Sequence, residues 1–325
     1  MENRCINCKV CDGRACSNHI PGPGAKGTGD TAARNYDKWK EIRVNMDTIV
    51  ANDPVSTESE LFGRTFAAPI FAGPVGDVRM HYNEEYTEEE YDRIIACGCA
   101  DAGIAAFTGD GMKEEFMKYG CAAIKEAGAG VPTIKPWNID IVAKKMKMVE
   151  ESGAFAVAMD VDAAGLPFLK NFTPPAGRKT VDELKEIIEL TELPFIVKGI
   201  MTPQGARKAV QAGASGIVVS NHGGRVLDQC AATAEVLEDI VREVKGEVKI
   251  FVDGGIRSGA DVFKALALGA DAVLIARPFA TSVYYGGGRK GVTDYANKIK
   301  GELADTMYMC GASSLAQIDR SMVRK

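Results

Sequence analysis

Eight short apolar runs constrain the fold of this 325-residue chain more than any other feature of its sequence. The runs are Pro69–Ala72, Ala105–Phe107, Val131–Ile134, Ala156–Met159, Phe195–Lys198, Gly216–Ser220, Lys249–Val252 and Ala272–Ile275. Between them lie amphipathic stretches of helical period such as Thr87–Ala102, Ile139–Glu151, Val181–Leu190, Thr202–Ala212, Ala231–Val244 and Ala260–Leu268. Strands that alternate with helices pair in parallel, and eight such units predict an α/β fold, the closed (β/α)8 TIM barrel. An open, doubly wound sheet is the alternative, but the Gly-rich dinucleotide turn of that fold is missing after the first run.

The chain ahead of the barrel divides into two predicted parts. Residues 1–18 form a Cys-rich segment. Residues 19–66 hold a Pro- and Gly-rich loop and a helical stretch, Thr31–Met46, that pack on the barrel of residues 67–325. Near the other end, Gly286–Lys290 is expected to be a flexible loop.

The composition excludes several classes of function. Hydrophobic residues make up 46% of the chain and charged residues 26%, which is ordinary for a globular protein with a large core. The formal net charge of −5 offers no footprint for nucleic acid, and no apolar run is long enough to span a bilayer. The polar start, Met1–Cys5, lacks the apolar core of a signal peptide. We therefore expect a cytoplasmic protein that binds neither nucleic acid nor membrane.

Four cysteines near the start, Cys5, Cys8, Cys11 and Cys16, follow the pattern C-x2-C-x2-C-x4-C. Four thiolates this close together suit a tetrahedral zinc site or an iron–sulfur cluster. The spacing does not choose between these two metals, and a tail of free thiols is the third alternative. Cys97, Cys99, Cys121, Cys230 and Cys310 lie in helical patterns, and we expect them to be small core residues.

The loop after the sixth apolar run carries candidate catalytic groups, because it contains His222, Gly223, Gly224 and Arg225. Histidine exchanges a proton near neutral pH, and the planar fork of arginine matches a carboxylate. Two glycines let the backbone lie close to a flat ligand. The loop predicts a base beside an anion clamp, with an ordinary connecting loop as the alternative. The other two histidines, His19 and His81, are expected to be solvated loop residues.

A barrel of this kind carries its chemistry at the C-terminal ends of the strands and holds phosphate after strands seven and eight. The seventh run is followed by Asp253–Arg257, with two glycines, and the eighth by Ala276 and Arg277. Exposed backbone N–H groups and two arginines predict a phosphate site there. Lys198 ends the fifth run, where a cation offsets negative charge on a bound ring, and Asp162 follows the fourth, where it can orient a histidine.

These segments resemble the FMN-dependent α-hydroxy-acid oxidase and dehydrogenase family, which includes glycolate oxidase, lactate oxidase and flavocytochrome b2. The matching segments are Val197–Gly199, Ser220–Arg225 with Leu227 and Asp228, and Asp253–Ala270, extended by Arg277 and Pro278. The resemblance implies an FMN lying across the barrel mouth. It implies oxidation of a 2-hydroxy acid, lactate-like or larger, to the 2-oxo acid, with the flavin N5 as electron acceptor. A homo-oligomer, either a tetramer or an octamer, is implied as well.

The same resemblance implies a role for each site residue. His222 would accept the substrate proton, Asp162 would orient it, Lys198 would face the N1/O2 edge of the flavin, and Arg225 would pair with the substrate carboxylate. The implied cofactor-binding residues are Gly73, Pro74, Val75, Gly76, Thr108, Lys135, Lys198, Ser220, Asp253, Gly254, Gly255, Arg257, Ala276 and Arg277. His222, Arg225 and Lys135 are the implied substrate-binding residues.

Departures from the family pattern leave the substrate open. Family members carry a tyrosine in the N-terminal loop and a second arginine after strand four, but Ile20–Pro23 and Ala163–Leu169 contain neither. The third strand usually ends in a glutamine and a tyrosine; here it ends at Lys135, which either faces the flavin or replaces a lost substrate cation. Two alternatives are an FMN barrel working as an isomerase or reductase, and an electron-transfer module that links FMN, a cysteine-bound cluster and an acceptor protein.

Overall fold

A computed structural model describes residues 4–20, 23–171, 173 and 175–325. Its centre is a closed barrel of eight parallel strands, in which the last strand pairs with the first through Val273 and Ile70. The strands are β1 (Ile70–Ala72), β2 (Ala105–Thr108), β3 (Gly130–Ile134), β4 (Val157–Asp160), β5 (Phe195–Ile200), β6 (Gly216–Val219), β7 (Lys249–Val252) and β8 (Ala272–Ile275). The predicted (β/α)8 barrel is confirmed, with every strand where an apolar run predicts it.

Met1–Asn3 of the predicted Cys-rich segment, and Pro21 and Gly22 of the loop that follows it, lie outside the described residues. Phe172 and Pro174 do so as well. In the described part of the chain, no helix is both long and apolar enough to cross a bilayer.

Helices surround the barrel, and several of them begin directly after a residue whose side chain caps the first turn. The α-helices are Asp30–Glu41, Val78–His81, Glu88–Asp101, Glu114–Ala127, Ile139–Glu151, Pro167–Lys170, Val181–Ile188, Pro203–Gln211, Thr233–Val244, Gly259–Ala267, Arg277–Tyr285 and Arg289–Met309. Thr87 and Thr180 each form a capping box with a glutamate three residues later. Such a cap contributes about 1 kcal/mol, which explains why these helices start where the sequence predicts.

Two segments differ from their predictions. The first helix ends at Glu41 instead of Met46, because Arg43–Val44 pairs as an antiparallel strand with Val323–Arg324. Gly286–Lys290 is only partly a loop, since Arg289 and Lys290 begin the last helix. The Arg289 guanidinium is held there by Asp101, with Nε 2.6 Å from Oδ2.

The barrel interior is filled by aromatic side chains and closed at one end by a hairpin. Phe71, Phe107 and Phe251 lie inside with ring centroids about 6 Å apart, and burying one such ring contributes about 1.5–3 kcal/mol. The hairpin Ser59–Leu61 and Arg64–Phe66 brings Phe62 next to Gly216, the first residue of β6. Because the strand starts are plugged in this way, ligand access is left to the carboxyl ends.

Candidate active site

A cavity opens at the carboxyl ends of the strands, with about 1010 Å³ of empty space including its mouth. Most of the predicted site residues line it, namely Pro74, Val75, Gly76, Lys135, Lys198, His222, Arg225, Asp253, Gly254, Gly255, Arg257, Ala276 and Arg277. Apolar side chains at the same cavity come from Met112, Leu166 and Phe168. The structure thus brings together groups from the carboxyl ends of all eight strands, which are far apart in sequence.

Thr108 does not line the cavity, and the prediction that it binds cofactor is wrong for its side chain. Its hydroxyl lies beside Gly120, on the helix outside the barrel. Successive side chains of a strand point to opposite faces, and Phe107 already occupies the interior. Gly73 and Ser220 lie just behind the lining. Gly73 packs against Ala276, and the Ser220 hydroxyl receives a hydrogen bond from Lys198 at 3.0 Å.

His222 is held by Asp162, as predicted. Its Nδ1 lies 3.0 Å from Asp162 Oδ1, which fixes the tautomer and leaves Nε2 as an acceptor. His222 itself has a left-handed backbone with φ of 56°, and Asn221 accepts a hydrogen bond from the Gly224 N–H to close this turn. Burial, followed by the charges of Lys198 and Lys135, lowers the pKa of His222 well below 6.5. The imidazole is therefore neutral at physiological pH and able to accept a proton.

Lys198 lies beneath this base as a permanent cation. Its Nζ is 3.8 Å from Asp162 Oδ2 and 3.6 Å from Asp253 Oδ2. Burial opposes the charged form, but these carboxylates outweigh it and raise the pKa of Lys198. The buried ammonium group is thus placed for a ligand that gains negative charge.

Arg225 is held by a histidine that the sequence does not single out. Arg225 Nη2 donates to His81 Nε2 at 2.9 Å, while His81 Nδ1 donates to the Asp77 carbonyl at 2.7 Å. Only 5% of His81 is exposed, so the expectation of a solvated loop histidine is wrong. Burial and the charge of Arg225 lower the pKa of His81 to about 3, so it stays neutral and can accept. His81 therefore positions the predicted carboxylate clamp.

Two glycines and Arg277 form an anion cradle. Gly254 and Gly255 both have φ of 84°, and a Cβ on Gly255 would lie 2.0 Å from the Asn35 carbonyl oxygen. Arg277 Nη2 donates to the Gly223 carbonyl at 2.9 Å. Its buried Nη1 finds no hydrogen-bond partner among the described residues, which is costly for a charged donor. A phosphate would supply that acceptor, so this end of the cavity fits FMN.

Arg257, the other predicted phosphate ligand, lines the cavity and is also bonded to the Cys-rich segment. Its Nε donates to the Cys11 carbonyl at 2.8 Å, and Nη2 lies 3.6 Å from Cys11 Sγ. The same segment reaches His81, whose carbonyl accepts from the Cys5 N–H at 2.9 Å. The Cys-rich segment therefore contacts two residues of the cavity lining, His81 and Arg257, one of them at the phosphate end.

The four N-terminal cysteines are half-buried free thiols. Burial, together with the neighbouring Cys11, Cys16 and Cys8, raises the pKa of Cys5 to about 11. No three of their sulfur atoms, all of which the structure describes, lie within 4.8 Å of one another, the spacing expected for ligands of a single metal ion. Within the described ranges, the only three metal-ligand atoms found within 4.8 Å of one another belong to Asp160, Asp162 and His222. Two lysine ammonium groups already lie beside those carboxylates, so that trio does not suit a further cation.

Four of the other five cysteines, Cys97, Cys99, Cys121 and Cys310, are buried as expected. Cys230 is not a core residue, which corrects the prediction for it. It lies in the loop ahead of the helix Thr233–Val244, where its sulfur lies 3.6 Å from the Thr31 hydroxyl.

Lys135 faces the cavity in an ion pair that the sequence does not predict. Its Nζ donates to Asp160 Oδ2 at 2.6 Å, and its backbone N–H donates to Asp110 Oδ2 at 3.0 Å. The only sequence signal for Asp160 is a carboxylate at the end of an otherwise apolar strand.

The barrel, the anion cradle at β7 and β8, and the base–clamp loop after β6 define a flavin-type oxidoreductase site. The family model for FMN-dependent dehydrogenases matches residues 22–171 and 168–325. The chain therefore belongs to the FMN-dependent dehydrogenase family, and it is an FMN enzyme of the kind that oxidises 2-hydroxy acids. This membership favours oxidation of a 2-hydroxy acid over the isomerase and reductase alternatives.

Alignments with several relatives cover most of this chain and most of the related protein. A peroxisomal (S)-2-hydroxyacid oxidase of Arabidopsis thaliana is 33% identical, over 90% of this chain and 88% of that protein. The 2-hydroxyacid oxidase 1 of Homo sapiens is 45% identical, over 89% of this chain and 86% of that protein. Among solved structures, a mandelate oxidase with (S)-2-phenylpropionate has a TM-score of 0.78 at 29% identity, covering 93% of this chain and 91% of that one.

Proposed function

We propose that the enzyme oxidises an (S)-2-hydroxy acid with an apolar side chain, using His222 as the base and Arg225 with Lys135 as the carboxylate clamp. The observation that carries this proposal is the His222–Asp162 pair beside Arg225 in one cavity. The side chain would lie against Leu166, Phe168 and Met112, which line the same cavity. The peroxisomal relative is named as an (S)-2-hydroxyacid oxidase, which supports the choice of the (S)-enantiomer.

In the proposed reaction, the residues of this chain bind the substrate and move one proton. Arg225 and Lys135 orient the carboxylate, so that the 2-hydroxyl faces His222 Nε2. The hydroxyl O–H bond breaks, its proton moves to Nε2, and Asp162 stabilises the imidazolium through Nδ1–H. FMN, when bound, would supply the acceptor for the C2 hydrogen together with the two electrons of its bond to carbon, which leaves the 2-oxo acid. Gly255, Arg257 and Arg277 would hold its phosphate, and Lys198 would offset charge on its ring.

Anaerobic mixing with a panel of acids tests this function. The purified protein should contain FMN, and (S)-lactate or (S)-mandelate should bleach its visible absorbance faster than glycolate does. The (R)-enantiomers serve as matched controls and should leave the spectrum unchanged. An FMN-loaded protein that none of these acids bleaches would contradict the proposal.

We also propose that Cys5, Cys8, Cys11 and Cys16 bind an iron–sulfur cluster that passes electrons to an acceptor protein. Support comes from the position of Cys5 and Cys11, which contact His81 and Arg257 at the cavity mouth. Burial, and to a smaller extent the neighbouring cysteines, raises the pKa of Cys5, and a bound cation would act in the opposite direction. Zinc is the alternative, and it would only fix the segment in place.

Metal analysis of protein made and kept free of oxygen tests this site. We expect stoichiometric iron in the wild type, its loss in Cys8→Ser, and its retention in the matched control Cys310→Ser, whose thiol is buried elsewhere. Zinc without iron would mean that the metal only holds the Cys-rich segment in place, which would contradict the electron-transfer proposal. Protein that holds neither metal would contradict both.

We further propose a cytoplasmic homo-oligomer. Support comes from apolar side chains left exposed beside one another, Met46, Ile49, Val50, Tyr308 and Met309, of which Ile49 is 96% exposed. The mass of the protein in solution, measured by light scattering, tests this assembly.

A further inference from the structure

The carboxylate of Asp160 lies between Lys135 and the base. Asp160 Oδ2 accepts a hydrogen bond from Lys135 Nζ at 2.6 Å, and the same oxygen lies 4.0 Å from His222 Nδ1. Asp160 is 1% exposed, and its Oδ1 has no hydrogen-bond partner in the part of the chain that the structure describes. The Lys135 ammonium group is therefore the only described cation in hydrogen-bonding contact with this buried carboxylate.

Charged groups from several strands face His222. Asp160 and Asp162 follow one another at the end of β4, Lys198 lies on β5, Lys135 follows β3, and Arg225 lies on the loop of His222 itself. Lys198 is shared between Asp162 and Asp253, at 3.8 and 3.6 Å. His81, the nearby histidine behind Arg225, is neutral.

Lys135 and Asp160 act on the base in opposite directions. The charge of Lys135 lowers the pKa of His222, whereas that of Asp160 raises it. While the two are paired, their effects on the pKa of His222 oppose each other. Lysine carries its ammonium group on a flexible stem with three donors, so Nζ can turn to a second acceptor without leaving the cavity. The proton affinity of His222 thus depends on what Lys135 binds.

We propose that Asp160 is a positioning residue for the base, held inactive by Lys135 until a substrate carboxylate enters the cavity. The incoming carboxylate accepts a hydrogen bond from Lys135 Nζ and lengthens the bond to Asp160. Asp160, no longer neutralised, then faces His222 Nδ1 and stabilises the imidazolium that forms when Nε2 takes the hydroxyl proton. This inference rests on the proposed function, and it adds that an anionic substrate strengthens its own base. A neutral alcohol would leave the ion pair intact and meet a weaker base.

Nuclear magnetic resonance of the imidazole groups tests the proposal directly, because the chain contains only three histidines. The FMN-loaded protein is titrated with and without pyruvate, a non-oxidisable carboxylate, and the His222 signal is assigned by its loss in His222→Gln. Pyruvamide, which lacks the negative charge, is the matched ligand control. A carboxylate at this distance shifts a pKa by about 1–3 units.

We expect pyruvate to raise the pKa of His222 in the wild type by at least about one unit more than in Asp160→Asn. Pyruvamide should raise it in neither protein. In Lys135→Met, which keeps Asp160 but frees it, the pKa of His222 should be high before pyruvate is added. A shift in Asp160→Asn equal to that of the wild type overturns the inference. Failure of (S)-lactate to bleach the wild-type flavin is a separate result, which contradicts the proposed function as well.

Discussion

His222→Gln is expected to slow the bleaching of the flavin by its substrate about 10²–10⁴-fold while FMN stays bound. Glutamine nearly preserves the volume of histidine but cannot accept the hydroxyl proton. The flavin should remain because the anion cradle takes only a backbone carbonyl from this loop, that of Gly223, which holds Arg277. Anaerobic stopped-flow absorbance measures the rate, and the visible spectrum of the purified variant measures the flavin content.

The matched control for this variant is His19→Gln, which changes a histidine outside the cavity lining. It should bleach at the wild-type rate. Asp162→Asn should give a slow enzyme too, since the amide cannot stabilise the imidazolium or select the tautomer that leaves Nε2 as acceptor. If His222→Gln bleached as fast as the wild type, another group would be the base, and Lys135, which lines the same cavity, would be the next residue to replace.

The barrel could be predicted because the sequence pattern of each strand lies within a few consecutive residues. Each strand is a short apolar run, and runs such as Val131–Ile134 and Lys249–Val252 are buried along almost their whole length by the helices outside and the aromatic core inside. Strand period and helix period differ enough to be read from one sequence. The residues at the strand ends follow from the topology, which is why Lys198 and Asp253 lie at the cavity as expected.

Pairings between distant loops could not be predicted in the same way. His81 and Arg225 are 144 residues apart, and nothing near either residue indicates their bond. Arg257 shows the same limit, because its sequence context predicts a phosphate whereas its guanidinium also holds the Cys11 carbonyl.

Thr108 and Asp160 differ from those cases, because the sequence of their own strands carried a usable signal for both. The alternation of β2 turns Thr108 away from the interior that Phe107 fills. Asp160 is a carboxylate within an apolar strand, and burying it requires a cation nearby. The sequence could not show that Lys135 is this cation.

Arg277→Met is expected to weaken FMN binding about tenfold to a hundredfold, and more than Arg257→Met does. A hydrogen bond to a charged group contributes about 1.5–3 kcal/mol, and about 1.4 kcal/mol corresponds to a factor of ten. Arg277 keeps a buried Nη1 without a hydrogen-bond partner among the described residues, so binding a phosphate removes an existing cost. Arg257 already donates to the Cys11 carbonyl and to the carbonyl of the preceding residue, Ile256. It therefore gains less from an added anion.

Titration of the deflavinated protein with FMN, followed by flavin fluorescence, measures these affinities. Arg242→Met is the matched control, because its side chain is 77% exposed on an outer helix, and its affinity should equal that of the wild type. The stability of the deflavinated protein gives a second test. Arg277→Met removes a buried donor that lacks a partner, so it should cost less stability than Arg257→Met, which releases the Cys-rich segment. A larger loss of FMN affinity in Arg257→Met would reverse this assignment and make Arg257, with the segment that holds it, the main phosphate ligand.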